Sequence, residues 1–316
     1  SHTNHDDALR IITIIRKINS ETGSQVAILG DLQGPKIRLG LVKKNTYLVS
    51  GEEIYLSNGK GLSTNKKLFF DYSNIISNLK TDDLVLIDDG KIKLKVKTVK
   101  EGSIVCNILN GGPLSSRKGV NLPKTELKFK SLTKKDKDDL NFLIKHDVDW
   151  VALSFVRTSK DILELRNILS KRKSDIKIIA KIEKPEAVKN IKSITRSSDA
   201  IMIARGDLGI EIPMQKVPIV QKKIISSCIH YSKPVVVATQ MMEGMINNSM
   251  TTRAETNDVA NAVFDGADAL MLSGETAVGK YPYKVVKAMS KIILSVEGSY
   301  LQSRTKLILP LKKTNS

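Results

Sequence analysis

Short apolar runs recur along the chain, and helical patterns lie between most of them. The runs occupy 26–32, 150–155, 176–182, 200–204, 235–239 and 269–272. They are rich in β-branched residues and lack polar alternation, which is typical of strands buried on both faces of a parallel sheet. From Trp150 onward they recur every 23 to 35 residues, which fits a strand with its crossover helix. The pattern therefore predicts repeated βα units.

The segments between the runs have the spacing of amphipathic helices. Two predicted helical faces are marked by Ile162, Leu165, Ile168 and Leu169, and by Ile219, Ile224 and Ile225.

Polar residues of catalytic type lie at the carboxyl ends of the predicted strands. They are Asp31, Ser154, Lys181, Glu183, Asp207, Thr239 and Ser273. In a (β/α)8 TIM barrel these ends converge on one mouth, where the chemistry takes place. Six strands are visible and a closed barrel needs eight, so two more are expected before Ser1. Alone, this stretch is expected to be an unclosed, inactive part of a longer protein.

The segment 35–122 has a different pattern, with a period of two. Ile92, Leu94 and Val96 alternate with lysines, and turn signals such as Asn110-Gly111-Gly112 interrupt the strands. A small all-β lid domain, inserted after a barrel strand, is predicted. Its lysine stripe is interpreted as a solvated strand face, with nucleic-acid contact as the less favoured alternative. The predicted organisation is barrel at 1–34, insert at 35–122, barrel at 123–297, and at 298–316 a tail toward a C-terminal domain.

Composition adds a strong positive charge. The 316 residues carry a net charge of +18 but only 4% aromatic residues, and lysine occurs in every segment. Few aromatic rings are available to stack on bases, so we favour compositional drift with steering of anionic substrates over nucleic-acid binding. Cys106 and Cys228 lie far apart, which argues against a disulfide scaffold or a zinc site. No segment approaches the ~18 apolar residues of a membrane span.

The strongest chemical signal is Lys181-Ile182-Glu183, followed by Arg205-Gly206-Asp207. Residues two apart on a strand point the same way, so Lys181 and Glu183 face one region. Glu183 and Asp207, at neighbouring strand ends, are suitable ligands for Mg²⁺. A structural ion pair is the alternative interpretation. Gly206 and Asp207 open a predicted helix, where backbone amides bind anions.

A second signal is the segment from Asp31 to Arg38, at the exit of a barrel strand. Arg38 is suited to bidentate contact with phosphate. An ordinary charged turn is the alternative.

These motifs, in their order and approximate spacing, resemble those of the pyruvate kinases from Ser1 to about Glu297. The matching stretches are GPKIR (34–38), KGVNLP (118–123), ALSFVR (152–157), KIE (181–183), ARGDLGIEIP (204–213), ATQMM (238–242), NNSMTTRAETN (247–257) and SGET (273–276). The resemblance implies a barrel split by a mobile lid, with phosphoryl transfer from phosphoenolpyruvate to ADP in glycolysis.

The resemblance also implies roles for individual residues around phosphoenolpyruvate. Lys181 would contact the transferring phosphoryl group and stabilise the enolate, and Glu183 with Asp207 would bind Mg²⁺, or Mn²⁺ in its place. The Gly206 and Asp207 amides, with Thr239, would bind the substrate carboxylate. The supporting roles implied are proton transfer for Thr239 and Ser273, phosphate contact for Arg38, and support of the metal site for Ser154.

On the nucleotide side, the resemblance implicates His2 and Arg38 with Lys118 and Asp89 of the lid. Ser1 and Asp31 would belong to a monovalent-cation site. In the family, Thr, Lys and Glu usually occupy the positions of Leu32, Gln33 and Lys36. A leucine side chain cannot ligate K⁺ and the Lys36 ammonium can replace its charge, so catalysis is expected to be independent of K⁺.

The same resemblance implies a homotetramer for the complete protein and, by family default, a cytoplasmic location, with a plastid or another organelle as the alternative. No nucleic-acid or membrane partner is expected. Three rival interpretations remain: a basic RNA- or anion-binding protein on a degenerate kinase fold, another barrel that handles phosphoenolpyruvate or pyruvate, and a P-loop NTPase. The last depends on GETAVGK (274–280), which Tyr281 follows where Ser or Thr is required.

Overall fold

The computed structural model describes residues 3–71, 78–100, 103–123, 125 and 130–308. Its strands are β1 Leu29–Leu32, β2 Ile37–Arg38, β3 Leu41–Val42, β4 Tyr47–Leu48, β5 Glu53–Asn58, β6 Leu62–Ser63, β7 Lys67–Phe70, β8 Leu84–Ile87, β9 Ile92–Lys100, β10 Ser103–Asn110, β11 Gly112–Pro113, β12 Gly119–Asn121, β13 Trp150–Leu153, β14 Lys177–Ile182, β15 Ala200–Ala204, β16 Val235–Ala238 and β17 Ala269–Met271. Its α-helices are α1 His5–Thr22, α2 Lys134–Lys145, α3 Ser159–Lys171, α4 Pro185–Lys189, α5 Ile191–Ser197, α6 Arg205–Glu211, α7 Val217–His230, α8 Arg253–Phe264, α9 Gly274–Ala277 and α10 Pro282–Ile308. Short 3₁₀ helices occupy Met214–Lys216 and Glu243–Ile246.

Six parallel strands form the larger sheet, in the order β1-β13-β14-β15-β16-β17. All six predicted barrel strands are confirmed, and helices connect them from β13 onward as the βα pattern requires. The chain order of the strands is kept across the sheet, so their carboxyl ends lie along one edge. Two strands are shorter than predicted by more than one residue: β1 begins at Leu29, after an exposed Val26, and β13 ends at Leu153.

Local capping signals set where several helices begin and end. The Asn4 side chain accepts a hydrogen bond from the Asp7 amide at the start of α1, and Gly23 ends that helix with φ 69°. Reciprocal capping boxes start α2 and α8, with Thr133 and Thr252 as the N-cap residues.

The insert folds as a separate β domain with its own apolar core. Seven strands pair in the order β2-β12-β8-β9-β10-β5-β7, and Leu48, Ile54, Leu94 and Ile104 are among the fully buried residues. The first and last strands of this sheet in the chain, β2 and β12, are paired with each other. Both connections to the barrel therefore leave this sheet side by side.

The alternation in β9 is confirmed, because Ile92, Leu94 and Val96 are buried on one face. The opposite face carries the lysine stripe, which is partly neutralised; Lys95, for example, lies 2.7 Å from Asp82. A solvated, salt-bridged strand face accounts for the stripe.

Two details of the helices differ from expectation. Ile219 is 69% exposed, because five residues separate it from Ile224 and place it about 140° around the helix from that buried position. The predicted boundary between 297 and 298 lies inside α10, which continues to Ile308. No proline occurs between Pro282 and Pro310, so no residue of this stretch is barred from the helix interior.

Across the described ranges, no helix is both long and apolar enough to span a bilayer.

Candidate active site

Lys181 lies at the centre of a polar cluster at the carboxyl ends of β1, β13 and β14. Its Nζ lies 3.1 Å from Asp31 Oδ1, 2.8 Å from Ser154 Oγ and 3.2 Å from Glu183 Oε1. Parallel pairing of the three strands brings these residues together although up to 150 positions separate them. The structure therefore brings together four of the residues that the sequence singled out.

Burial and charge act against each other on the Lys181 ammonium. Burial alone would lower its pKa, but the Glu183 and Asp31 carboxylates outweigh that effect and hold the pKa above its usual value. Lys181 is therefore a fixed positive charge at neutral pH, suited to an anion rather than to general-base chemistry.

Glu183 is the most buried acid of the cluster, with its side chain 1% exposed. Burial raises the pKa of this carboxyl, Lys181 opposes that rise, and the negative charges of Asp207 and Asp31 add to it. Its second oxygen accepts a hydrogen bond from the Phe155 amide at 2.7 Å. A buried acid that depends on neighbouring cations in this way is suited to bind a metal ion or a positively charged partner.

Asp207 lies in the first turn of α6, directly after β15, and pairs with Lys36 rather than with Lys181. The distance from Lys36 Nζ to Asp207 Oδ1 is 3.2 Å. Asp31 was expected in the monovalent-cation site, whose cation the Lys36 ammonium would replace. In the structure Asp31 contacts Lys181 instead. Lys36 thus lies at the mouth of the barrel, next to one of the two expected Mg²⁺ ligands.

Thr239 follows β16 with φ 71° and turns its hydroxyl toward the start of α6. The hydroxyl accepts a hydrogen bond from the Gly206 amide at 2.8 Å and donates one to the Ala238 carbonyl at 2.7 Å. Arg205 fixes the loop that carries Thr239. Its Nη2 donates a hydrogen bond to the Thr239 carbonyl at 2.8 Å, and its guanidinium contacts the Asp258 carboxylate at two points, each at 2.7 Å. This positioning role of Arg205 is not evident from the sequence.

Ser273 follows β17, and its hydroxyl is buried without a hydrogen-bond partner among the residues that the structure describes. Its amide donates to Glu275 Oε2 at 2.7 Å, and the other oxygen of Glu275 accepts from the Met242 amide at 3.2 Å. Glu275 is 2% exposed, so a buried carboxylate whose role is not evident from the sequence ties the ends of β16 and β17 together.

In the lid, Lys118 contacts Asp88 at 2.8 Å, whereas the predicted Asp89 is exposed. Hydrogen bonding from Lys118 outweighs burial and holds the pKa of the Asp88 carboxyl below its usual value. Both acids of the motif Asp88-Asp89-Gly90 adopt positive φ in the turn, and the sequence does not show which of the two side chains points toward Lys118.

An open cleft of about 530 Å³ lies where the lid meets the barrel. Arg38 lines it and donates a hydrogen bond to the Arg117 carbonyl at 3.2 Å. The charged residues that line this cleft are Lys36, Arg38, Asp71, Lys130, Lys134 and Lys135. Five cations against one acid make the cleft attractive to phosphate groups.

A second contact between lid and barrel was not foreseen. Asn121 of β12 donates a hydrogen bond to Glu211 of α6 at 2.8 Å, and Lys184 contacts the same oxygen at 2.7 Å. A single buried carboxylate thus holds the base of the lid against the helix that carries Asp207.

The donor set for a divalent ion consists of two carboxylates. Within the described ranges, no group of three or more His, Cys, Asp and Glu side chains is arranged to hold a metal. Mg²⁺ in proteins is commonly bound by one or two carboxylates, with water and substrate oxygens completing the shell. Glu183 and Asp207 fit such a site. The expected roles of Ser1 and His2 lie outside the described residues.

Comparisons with known proteins agree on one family. A family model described as the pyruvate kinase barrel domain matches residues 1–286. A pyruvate kinase of Mycobacterium tuberculosis is 45% identical over 298 residues, covering 94% of this chain and 63% of the relative, and one of Staphylococcus epidermidis is 42% identical over 316 residues, covering 98% and 54%. The crystal structure of a pyruvate kinase from Cryptosporidium parvum superposes with a TM-score of 0.90 at 37% identity, covering 100% of this chain and 66% of that one. The chain therefore spans less than two thirds of the length of these relatives.

Proposed function

The chain belongs to the pyruvate kinase family, and from this we propose that it transfers the phosphoryl group of phosphoenolpyruvate to ADP, giving pyruvate and ATP. One observation carries the proposal. At the carboxyl ends of parallel strands, the Lys181 ammonium lies between Glu183 and Asp31, and Glu183 in turn is close enough to Asp207 for the charge of Asp207 to raise its pKa. A divalent ion and a phosphorylated acid need such a set of charges.

In this proposal, Lys181 binds the phosphoryl oxygens and the oxygen that links phosphorus to the enol carbon. As the P–O bond to that oxygen breaks and a bond to the ADP β-phosphate oxygen forms, negative charge develops on the enolate, and a preplaced ammonium stabilises it. Glu183 and Asp207 would hold Mg²⁺, which neutralises phosphate charge when bound. Catalysis of this kind depends on positioning and charge rather than on covalent chemistry by the protein.

The substrate carboxylate is assigned to the amides of Gly206 and Asp207. Because the Gly206 amide now donates to the Thr239 hydroxyl, a bound carboxylate would take the place of that hydroxyl as acceptor. The released Thr239 hydroxyl could then face the enolate carbon, which must gain one proton to become the methyl group of pyruvate. Ser273, whose buried hydroxyl has no partner among the described side chains, is assigned to the same proton path.

The nucleotide is assigned to the cationic cleft between lid and barrel. Arg38 lines this cleft and would contact its phosphates, while Lys118 and Asp89 would approach from the lid. Lys36 would replace a monovalent cation, because its ammonium already lies beside Asp207. A homotetramer and a cytoplasmic location, the family defaults, complete the proposal.

The test is turnover of the full-length protein with phosphoenolpyruvate, ADP and Mg²⁺, coupled to lactate dehydrogenase, together with the melting temperature with and without phosphoenolpyruvate and Mg²⁺. A ligand that binds the folded state raises the melting temperature. We expect pyruvate formation and a higher melting temperature. Stabilisation without turnover would leave an anion-binding protein, and the absence of both would refute the proposal.

A further inference from the structure

A cavity of about 310 Å³ lies on the helical side of the barrel, between α5 and α7. We call it the α5–α7 cavity. Its lining residues are Ile191, Lys192, Lys223, Ser226, Ser227, His230 and Tyr231. None of them belongs to the candidate active site. The volume is at the lower end of the range for small-molecule sites and is sufficient for one ring and one phosphate group.

The charge of the cavity has one sign. Lys192 and Lys223 approach it from different helices, His230 adds an imidazole, and no acid lines it. In the part of the chain that the structure describes, neither lysine has a carboxylate partner, whereas the adjacent Lys222 is paired with Asp265. Two unpaired ammonium groups that converge from separate elements favour an anion.

Ser227 supplies a second, independent observation. Its hydroxyl is buried and has no hydrogen-bond partner among the described residues. Buried hydroxyls nearby behave differently: Thr195 and Ser198 each donate to the carbonyl four residues earlier, at 2.8 Å. An unsatisfied buried hydroxyl is costly, and rotation of the Ser227 side chain about χ1 toward a ligand oxygen in the cavity would satisfy it.

Tyr231 provides a flat apolar surface beside these polar groups. The Arg196 guanidinium lies 5.4 Å from its ring centre, and the His230 ring meets it edge-on with centres 4.7 Å apart. The two contacts fix the orientation of the tyrosine ring at the mouth of the cavity. A planar group of a ligand can stack on a ring held in this way.

We propose that the α5–α7 cavity is a binding site for a phosphate monoester that carries a planar ring. Lys192 and Lys223 bind the phosphate, the Ser227 hydroxyl donates to one of its oxygens, and the ring packs on Tyr231. This site is separate from the proposed catalytic reaction and stands whether or not that reaction is confirmed.

The test uses phenyl phosphate and inorganic phosphate as probes of the full-length protein. The seven tyrosines are replaced biosynthetically with 3-fluorotyrosine, and Tyr231→Phe assigns the ¹⁹F signal of Tyr231. We expect phenyl phosphate to shift this signal in a saturable manner, and inorganic phosphate to bind at least ~10-fold more weakly, a factor that corresponds to 1.4 kcal/mol. Equal affinities for the two probes would overturn the ring contact, and no saturable shift with either would overturn the site.

Variants test the residues. K192Q/K223Q should weaken phenyl phosphate binding at least ~10-fold, since each lost charge-assisted contact has about this effect, and S227A should weaken it less. K43Q/K44Q, which removes two exposed charges in the lid, is the matched control and should leave the affinity unchanged. Equal loss in K192Q/K223Q and in the control would mean that general surface charge, and not the cavity, attracts the probe.

Discussion

Replacing Lys181 with methionine removes the charge on which the candidate active site depends while keeping an unbranched side chain of similar length. The ammonium is the shared partner of Asp31, Ser154 and Glu183, at 2.8–3.2 Å from the nearest atom of each. Lys181→Met therefore affects both the proposed reaction and the stability of the fold, and the two effects can be measured separately.

The effect on the reaction follows from the loss of one preplaced cation at the point where negative charge develops. Removing a single group of this kind from an enzyme typically lowers kcat by about 10²–10³-fold. We expect a loss of at least about 100-fold in kcat for Lys181→Met.

The effect on stability comes from Glu183, whose side chain is 1% exposed. Removing one partner of a buried ion pair costs about 3–5 kcal/mol when the other charge stays buried. Glu183 can avoid part of this cost by binding a proton, because its pKa, already raised by burial, rises further without Lys181.

The pH dependence then has a definite sign. The relevant pH window lies between the pKa of Glu183 in the folded native protein and its higher pKa in the folded variant. In this window Glu183 of the folded variant still holds its proton. In the unfolded chain, where its pKa is the ordinary value near 4.5, Glu183 has already released that proton. The variant therefore loses stability relative to the native protein by about 1.4 kcal/mol for each pH unit of increase in this window. The native ammonium, with its pKa held above 10.5, keeps its own contribution throughout neutral pH and loses it only in strong alkali.

The assay pairs coupled turnover with urea unfolding of the full-length protein at a series of pH values that starts at the ordinary carboxyl pKa near 4.5 and rises into the alkaline range. Lys177→Met is the matched control, because Lys177 lies on the same strand, four residues earlier and on the same face, but is exposed. A variant that keeps more than a tenth of the native kcat, or a destabilisation independent of pH, would refute the assigned role of Lys181.

Three further predictions concern the surroundings of the site. Native turnover should be equal in K⁺ and tetramethylammonium buffers, and hundredfold activation of the native protein by K⁺ would contradict this. Lys36→Gln should lower turnover about 10-fold in both buffers, because an ammonium 3.2 Å from its carboxylate partner is lost. Arg205→Lys should destabilise the protein by about 1–3 kcal/mol in urea unfolding, because lysine cannot reproduce the two 2.7 Å contacts with Asp258; a change under about 0.5 kcal/mol would argue against that role. Gly34→Ala should lower the free energy of unfolding by at least about 1 kcal/mol more than Gly51→Ala does. Both glycines have positive φ, but a Cβ at Gly34 would lie 3.0 Å from a neighbouring side chain, whereas one at Gly51 meets nothing within 4 Å. Equal losses of stability would exclude the close contact as the cause.

Periodicity predicted the strands of the larger sheet and the approach of polar side chains at their carboxyl ends. The parallel sheet could be anticipated because uninterrupted β-branched runs suit only strands covered on both faces. Once these strands are parallel neighbours, their carboxyl ends must meet, which is why Lys181, Ser154 and Asp31 come together across long stretches of sequence.

The pairing of charges within the site could not be predicted in this way. Sequence position shows that Lys36 and Lys181 both reach the mouth, but which acid each contacts depends on side-chain reach over a few ångströms. The choice of Asp88 rather than Asp89 by Lys118 has the same origin, because two neighbouring turn residues differ only in the direction of their side chains. Ile219 shows a similar limit, since apolar character alone does not determine which helical face is buried.

The observed pairing gives Lys36 a physical role that its sequence position only suggested. Asp31, Glu183 and Asp207 supply three negative charges, and Lys36 and Lys181 supply two positive ones. The group therefore has a net charge of −1, so a divalent cation would bind favourably and leave the site positive toward an anionic substrate. If Lys36 were acidic, the same five positions would carry a net charge of −3, and a divalent cation would still leave them negative. A further cation would then be required, and in this chain the Lys36 ammonium supplies that charge covalently.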